Sequence, residues 1–515
     1  MTILKLLKGL NIEWQTGPGD VEIKGIAYDS RLVEKDFLFV AVRGFSKDGH
    51  DYIKDAVNRG ATVVVAEHPA DITRGIQNGS LRETTFLGVS DSREALALIS
   101  SAFYGHPADS LALIGITGTN GKTTTGFITK NIIDAGGSRA GLLGTICYMT
   151  GDKISAAINT TPESSDLQRY LREMVDNNMK YAVLEVSSHA LVLDRIKGCS
   201  FQVAAFTNFS QDHLDFHTTM DEYFNVKRTL FDYLDTGGTA VLNRDDPRIR
   251  SLEKELDCNV ITCGIEAGAM IRAENICVQK NRSPDAPSVP RPLKGERAGL
   301  GQLSFDVQTP DTKYSIYSEL IGRFNVYNIL MSIGIAYALG IKQDVIQHGV
   351  RRSTPVAGRF ENVNEGQDFL CIVDYAHTED ALRKVIEEAR HITRERIITV
   401  FGCGGDRDRT KRPLMAAAAD ELSDIVVITS DNPRSEDPSA IIRDIVSGIG
   451  TNNYISLPDR EEAINVAVSM AQEGDTVLIA GKGHETYQEI KGVRHHFSDR
   501  EILRKAIRKR LAVSG

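Results

Sequence analysis

The chain of 515 residues has no apolar run approaching the roughly 20 residues that cross a bilayer. Its first residues, MTILKLLKGLNIEW, form a short amphipathic stretch without the apolar core and small-residue cleavage site of a signal peptide. A protein of the cytoplasm, with no membrane partner, is therefore expected. A basic excess is also missing. Sixty Lys and Arg stand against 69 Asp and Glu, a net charge of −9, which argues against a nucleic-acid partner but leaves room for an anionic ligand held by local cations. Seven cysteines, at 147, 199, 258, 263, 277, 371 and 403, form no CxxC pair, so reduced thiols are expected rather than a disulfide frame or a zinc site. No internal repeat is visible. What remains is a globular composition, 41% hydrophobic and 25% charged, in a chain long enough for two to four domains.

Apolar strand-like runs alternate with amphipathic helical patterns almost throughout: ATVVVAE, LALIGITG, YAVLEVSS, IITVFGC, DIVVITS and DTVLIAG. Each ends in small or polar residues, the pattern of parallel α/β architecture, in which ligands gather at the carboxyl ends of strands. Three blocks are expected: 1–104, a central block 105–342 built on a parallel sheet, and a carboxyl-terminal α/β block 343–515. The Pro- and charge-rich segment 281–299 reads as a mobile surface loop inside the central block.

The stretch LALIGITGTNGKTTTGFITKNII reads as strand, glycine turn and helix. Gly118 and Gly121 let backbone approach an anion with no Cβ in the way. Thr119, Asn120 and Thr124 complete the turn, whose N–H groups open a helix and point at phosphates. Lys122 can reach β- and γ-phosphates, and the Thr123 hydroxyl suits Mg²⁺. The loop is a variant: Ile116 stands where the GxxxxGK[ST] pattern has its first glycine. GxGxxG-type coenzyme binding is the weaker reading, since Gly402-Cys-Gly404 is followed by Arg407 at the last glycine position.

Glu185 ends an apolar strand, where a carboxylate beside a phosphate loop can hold Mg²⁺ or simply cap a helix. The next strand runs into a polar cluster of Asp212, His213, Asp215 and His217, open to either a ligand or a structural role. Lys227 shares a helical face with Phe224, Leu230, Phe231 and Leu234. A buried amine must find a partner, snorkel or become neutral. From the residues alone snorkelling is preferred, although a neutral lysine can react with CO₂ to give a carbamate, an oxygen ligand for metal.

Ten segments then coincide in order with one family. TGTNGKTTT, NTTPE (159–163), LEVSSHAL (184–191), NFSQDHLDFH (208–217), GRFNVYN (322–328), GRFE (358–361), DYAHT (374–378), GCGGDRD (402–408), DNPR (431–434) and GKGHE (481–485) together resemble the Mur ligases of peptidoglycan synthesis, most closely the type that adds diaminopimelate. The resemblance implies a three-domain α/β fold with a P-loop-type central ATPase domain and a Rossmann-like carboxyl-terminal domain. It implies that ATP phosphorylates the D-glutamate γ-carboxylate of UDP-N-acetylmuramoyl-L-alanyl-D-glutamate. An amine of meso-2,6-diaminopimelate then attacks the acyl phosphate. Such an intermediate needs shielding from water. The alternatives are the same reaction with L-lysine, another amide ligase of the superfamily, or a nucleotide-operated switch.

Carried over by position, Lys122 and Thr123 resemble the γ-phosphate and Mg²⁺ contacts. Glu185 and His213 resemble metal ligands of a site with two Mg²⁺ ions. Lys227 matches the family's carbamylated lysine, which reverses the preference for snorkelling. Asn325, Arg359 and Asp374 resemble nucleotide contacts, with Asn328 a less direct match. Ser30 resembles a contact to the UDP moiety, and Asn159, Thr160, Thr161, Ser187 and Arg195 resemble contacts to the muramoyl dipeptide. Arg407, Asp431, Asn432, Pro433, Arg434, Gly481 and Glu485 follow apolar strands of the third block and are expected at one edge of its sheet as the amino-acid site. Arg434 offers a bidentate partner for the far carboxylate of diaminopimelate, which L-lysine lacks. DNPRSEDPSAIIRDI also reads as a turn feeding a helix, with Asp437 as N-cap and Pro438 at its first position. Three departures stand out: Glu379 replaces a usual proline, Leu193 stands where some relatives have a polar residue, and Phe45-Ser46-Lys47 differs from the usual polar loop. The expected partners are small molecules and the expected state is a monomer.

Overall fold

A computed structural model describes residues 1–44, 47–67, 84–214, 216–278 and 303–514. The segment 281–299, together with Phe45, Ser46 and Asp215, lies outside the described residues. The described chain forms two compact units. One comprises Met1–Thr262 and Gly334–Ile341, the other Cys263–Ile333 and Lys342–Gly515.

The first unit contains a five-stranded sheet in the order Trp14–Thr16, Thr85–Gly88, Ala61–Ala66, Phe37–Val40, Gly25–Ala27, parallel except for its first edge strand. Its inner strands are buried on both faces, as the unbroken VVV run at 63–65 requires. The larger sheet of this unit runs Leu234–Asn243, Phe201–Phe206, Ala112–Thr117, Tyr181–Glu185, Ala140–Leu143, with a short antiparallel edge of Cys147–Met149 and Ile154–Ala156. The five longer strands are parallel. Register sets where the loops emerge. Glu185 pairs with Ile116 and Phe206 with Thr117, so three strands end level and release their loops on one edge. A hydrogen bond from Tyr28 Oη to Asp166 Oδ2, at 2.7 Å, ties the YDSR segment to the helix Ser164–Asp176.

The second unit holds an antiparallel meander of Ile271–Val278, Leu303–Gln308 and Lys313–Ser318. It also holds a six-stranded sheet in the order Glu361–Asn362, Leu370–Asp374, Thr476–Ala480, Ile397–Phe401, Ile425–Ile428, Tyr454–Ser456, parallel apart from its first strand. Leu382, Ile386, Met415 and Ile441 cover one face of it; Ile464, Ala467, Leu503 and Ile507 cover the other. Helices on both faces of a largely apolar, mostly parallel sheet make the doubly wound, Rossmann-like arrangement the sequence pattern implies. Glu379 opens the helix Glu379–Ile392, whose N-cap Thr378 accepts from Ala381 N. An acid at that position favours the helix dipole and pairs with Arg383 at 3.0 Å, so the helix starts without the usual proline. Asp437 and Pro438 cap the helix Pro438–Val446 as read from the sequence. All seven cysteines are free thiols, and among the described residues no helix is long and apolar enough to cross a membrane.

One ion pair organises the loops that leave this sheet. Arg460 and Asp499, both with 0% exposed side chains, form two bonds of 2.7 and 2.8 Å. The same guanidinium donates to the carbonyls of Ser430 and Ala480, the residues just before Asp431 and Gly481. Removing one partner of such a pair leaves an unpaired buried charge. Arg460→Ala should therefore lower unfolding free energy by about 3–5 kcal/mol in chemical denaturation. A loss below about 1 kcal/mol would show that the loops do not depend on it.

Candidate active site

The glycine turn lies where the sheet register puts it, between the ends of two parallel strands. Gly118 has φ +142°, and a Cβ there would sit 2.0 Å from Thr207 Oγ1, so only glycine fits. Thr119 N donates to Asn208 O and Asn120 N to Asn208 Oδ1, both at 2.9 Å, while Thr207 Oγ1 donates to Asn120 O. The loop is thus sewn to the neighbouring strand end. Gly121, at φ +83°, is the N-cap of the helix Lys122–Ala135, whose first turn holds Thr123 and Thr124. Lys122 Nζ folds back to donate to the carbonyls of Gly118 at 2.7 Å and Thr119 at 2.9 Å.

Beside this loop stands Glu185, 1% exposed. Thr123 Oγ1 donates to its Oε2 at 2.9 Å, and Thr145 donates through N to Oε1 and through Oγ1 to Oε2, both at 3.0 Å. Gly144 is the counterpart of Gly118: a Cβ there would meet Glu185 Oε1 at 2.2 Å. A carboxylate and a threonine hydroxyl in contact at the head of a phosphate loop are the hard-oxygen donors that Mg²⁺ takes. Thr145 was not foreseen from the sequence, although it too follows an apolar parallel strand, Ala140–Leu143.

Thr145 also leads outward. Its hydroxyl is 3.1 Å from that of Thr160. Thr161 Oγ1 donates to the carbonyl of Glu185 and accepts from Ser187 N. Arg195 Nη1 donates to Thr161 O at 3.0 Å. Asn159 is exposed, its backbone fixed by the Tyr148 hydroxyl. Five residues expected to meet the acceptor, from Asn159 to Arg195, therefore converge beside Glu185. Ser30 sits apart on its own short helix Ser30–Leu32, 7% exposed behind the N-cap Asp29. Leu193 is buried at the end of the helix Ser188–Val192 and belongs to the core.

Lys227 is 1% exposed on the helix Met220–Arg228. It does not snorkel. Its Nζ donates to Gly118 O at 3.0 Å and lies 4.6 Å from the ring centre of Tyr223. Burial pushes this ammonium well below its ordinary pKa, and the nearby Lys122 adds to the shift. The amine is thus held toward its neutral, nucleophilic form. His213 is exposed, with φ +52°, and its ring packs edge-on to His189 at 5.0 Å and to Tyr223 at 6.1 Å. His217 is buried against Tyr223 at 5.0 Å. Glu185 with Thr123, Lys227, and His213 thus occupy three neighbouring positions rather than one. Among the described residues no three His, Cys, Asp or Glu side chains are gathered closely enough to hold a metal ion.

In the second unit Asn325 is buried, donating to Ile321 O and accepting from Asn328 Nδ2. Gly358, Tyr375 and His484 bring the GRFE, DYAHT and GKGHE segments together: a Cβ on Gly358 would lie 2.1 Å from His484 N, and the rings of Tyr375 and His484 are 5.1 Å apart. Arg359 stacks over Tyr375 at 5.2 Å. Asp374 accepts from Phe360 N and Ala376 N. Burial raises its pKa, while the Arg359 charge and these two N–H groups oppose the rise.

The DNPR, GCGGDRD and GKGHE loops meet at the carboxyl edge of the same sheet. Asn432 O accepts from Gly405 N, and Pro433 O lies where a Cβ on Gly405 would stand. Arg434, at φ +51°, donates from Nη1 to Gly405 O at 2.6 Å. Its backbone is clasped by the hairpin Tyr487–His496 through Glu489 O and Lys491 N. Asn432 Nδ2 donates to Glu485 Oε2 at 2.8 Å, and a Cβ on Gly481 would press Asp431 Oδ2 at 2.8 Å. Six of the seven expected amino-acid contacts form this one cluster; Arg407 is exposed on the adjoining turn. Lys482, 0% exposed in the middle of the cluster, was missed.

Family models match in three places: the Mur ligase family catalytic domain at 22–104, the Mur ligase middle domain at 116–336, and the Mur ligase glutamate ligase domain at 358–483. A relative from Geobacillus thermodenitrificans, UDP-N-acetylmuramoyl-L-alanyl-D-glutamate–2,6-diaminopimelate ligase, is 43% identical over 99% of both chains. The Bacillus licheniformis protein of that name is 44% identical over 98% of this chain and 99% of its own. A solved structure bearing the same name aligns with TM-score 0.64 at 31% identity, covering 95% of each chain. The MurF ligase of Thermotoga maritima in complex with ADP shares the fold at TM-score 0.61 and 20% identity, over 96% of this chain and 99% of its own. Three family models in order along the sequence, and full-length relatives at 43–44% identity, establish that this chain belongs to the Mur ligase family.

Proposed function

We propose that the chain is an ATP-dependent ligase that joins meso-2,6-diaminopimelate to the D-glutamate γ-carboxylate of UDP-N-acetylmuramoyl-L-alanyl-D-glutamate, releasing ADP and phosphate in peptidoglycan precursor synthesis. The observation that carries the reading is that Arg434 and Glu485 belong to one built cluster, linked through Gly405 and Asn432. The arginine, anchored by Gly405, keeps donors for a carboxylate, and Glu485 can accept from an ammonium. Diaminopimelate presents both groups at its far end. The relatives named for this reaction support the choice.

In this reading the γ-carboxylate attacks the γ-phosphorus, ADP leaves, and the resulting acyl phosphate is attacked by the substrate amine with loss of phosphate and a proton. Gly118, Thr119, Asn120, Gly121, Lys122, Thr123 and Thr124 hold the triphosphate, and Asn325, Arg359 and Asp374 the nucleoside. Ser30 holds the uridine diphosphate end of the acceptor; Asn159, Thr160, Thr161, Ser187 and Arg195 hold its dipeptide. Arg407, Asp431, Asn432, Pro433, Arg434, Gly481 and Glu485 hold the amino acid. Thr123, Glu185, His213 and a Lys227 carbamate would hold Mg²⁺, with two ions expected, and the contact of Thr123 with Glu185 at the loop supports the hard-oxygen part of that set. Bound Mg²⁺ would neutralise charge on the phosphoryl oxygens. Lys227 supplies the neutral amine that CO₂ addition requires, with one proton released. The same reading divides the chain into a UDP-binding domain 1–104, an ATP-binding domain 105–342 and an amino-acid domain 343–515. It describes a monomer acting in the cytoplasm on small molecules, without nucleic acid or membrane partners.

Phosphate release should require ATP, Mg²⁺, the UDP-muramoyl dipeptide and meso-diaminopimelate together. Equal or faster turnover with L-lysine sinks the specificity, and full release without acceptor favours a nucleotide switch. Lys227→Ala should lower kcat on the order of 10²- to 10³-fold, the scale of losing a charge-stabilising group, with partial rescue by short carboxylic acids. Mass measurement of the intact wild-type protein should show an added ~44 Da, the mass of CO₂, lost on acidification. Arg434→Ala should raise KM for diaminopimelate about 10- to 100-fold, the roughly 1.5–3 kcal/mol of a hydrogen bond to a charged group, with little change in KM for ATP. Equal loss on both substrates would remove Arg434 from the amino-acid site.

A further inference from the structure

Lys482 has no role in anything derived so far, yet it is a fully buried cation at the centre of the amino-acid cluster. Its Nζ donates to Asn432 Oδ1 at 3.1 Å and to Glu485 Oε2 at 3.0 Å, and lies 5.6 Å from the Tyr487 ring centre. Glu489 N donates to the same Asn432 Oδ1 at 3.0 Å. An ammonium and a backbone N–H are donors only. Two such donors on one side of the Asn432 amide fix its oxygen there and turn its Nδ2 toward Glu485, to which it donates at 2.8 Å. Glu485 Oε2 therefore receives two donors from the protein. Its Oε1 has no protein donor among the described residues, on a side chain that is 17% exposed.

We infer that Lys482 is the positioning residue of the amino-acid site. It locks the Asn432 amide in one orientation and occupies one oxygen of Glu485, so that a single carboxylate oxygen faces the incoming ammonium. It also balances the charge of Glu485 where Asp431 brings a second carboxylate, 8% exposed, into the same cluster. Without Lys482 the amide is free to flip and Glu485 loses its buried counter-charge. The substrate's far end then meets a carboxylate of undefined direction. This inference rests on the assignment of Asn432 and Glu485 to the amino-acid site.

The test compares Lys482→Met, close in shape and uncharged, with wild type, Glu485→Gln and the double variant, measuring KM separately for ATP and for whichever amino acid the wild type turns over fastest. Lys482→Met should raise the amino-acid KM about 10- to 100-fold, the scale of losing a hydrogen bond to a charged group, with the ATP KM within about twofold. In the Glu485→Gln background the same substitution should add less than about threefold, because the two side chains act as a unit. Unchanged amino-acid KM, equal loss on ATP, or an undiminished effect in the Glu485→Gln background overturns the inference. Should Lys482→Met fail to fold, Lys482→Gln, which removes the charge on a shorter side chain that stays polar, carries the same comparison. A wild type that prefers L-lysine refutes the diaminopimelate reading instead, and the Lys482 comparison is then read on L-lysine.

Discussion

The carbonyl oxygen of Gly118 receives two lysines, Lys122 at 2.7 Å and Lys227 at 3.0 Å, and the chemistry of the first unit depends on that shared acceptor. Two full positive charges on one neutral oxygen, one of them buried, are electrostatically unfavourable. The buried Lys227 is the one driven toward neutrality, by its burial first and by the Lys122 charge second. The strand register makes the meeting possible, since the glycine turn, the Glu185 strand and the Phe201–Phe206 strand all end level. Gly118 and Gly144, neither with room for a Cβ, mark where the turn has closed onto Thr207 and where backbone has closed onto the Glu185 carboxylate.

The second unit reaches an ordered site by a different route. Its loops carry the recognition groups, and buried charges hold the loops: Arg460 with Asp499 beneath, Lys482 with Glu485 within. Each cation also bonds backbone or amide oxygens, so each fixes direction as well as charge. Such networks contribute specificity more surely than stability.

Much of the fold and the site was legible in the residues. Parallel α/β order follows from apolar runs ending in small polar residues, and the glycine turn from its strand–loop–helix context. Local pattern also gave the Asp437–Pro438 helix start. What the pattern could not give was burial in three dimensions. Lys227 shows the limit: helical periodicity put it on the apolar face, but snorkelling and burial differ only in what packs above that face, here the Gly118 turn 109 residues away. Thr145 and Lys482 were missed for a related reason. Lys482 lies beside Gly481, which was read as part of the site, whereas nothing next to Thr145 stood out, and each matters through a partner that only tertiary contact supplies. His213 was legible as polar and near the site, but its exposed, left-handed position beside His189 was not.

The folded-back side chain of Lys122 has a consequence for selectivity among anions. Its ammonium already satisfies two carbonyls of its own loop. An arriving anion must replace those bonds, so it gains only the difference between a charged and a neutral acceptor. An anion with more charge and more oxygens offsets that loss better than a weakly charged one. The folded-back lysine therefore biases the turn against weakly charged anions.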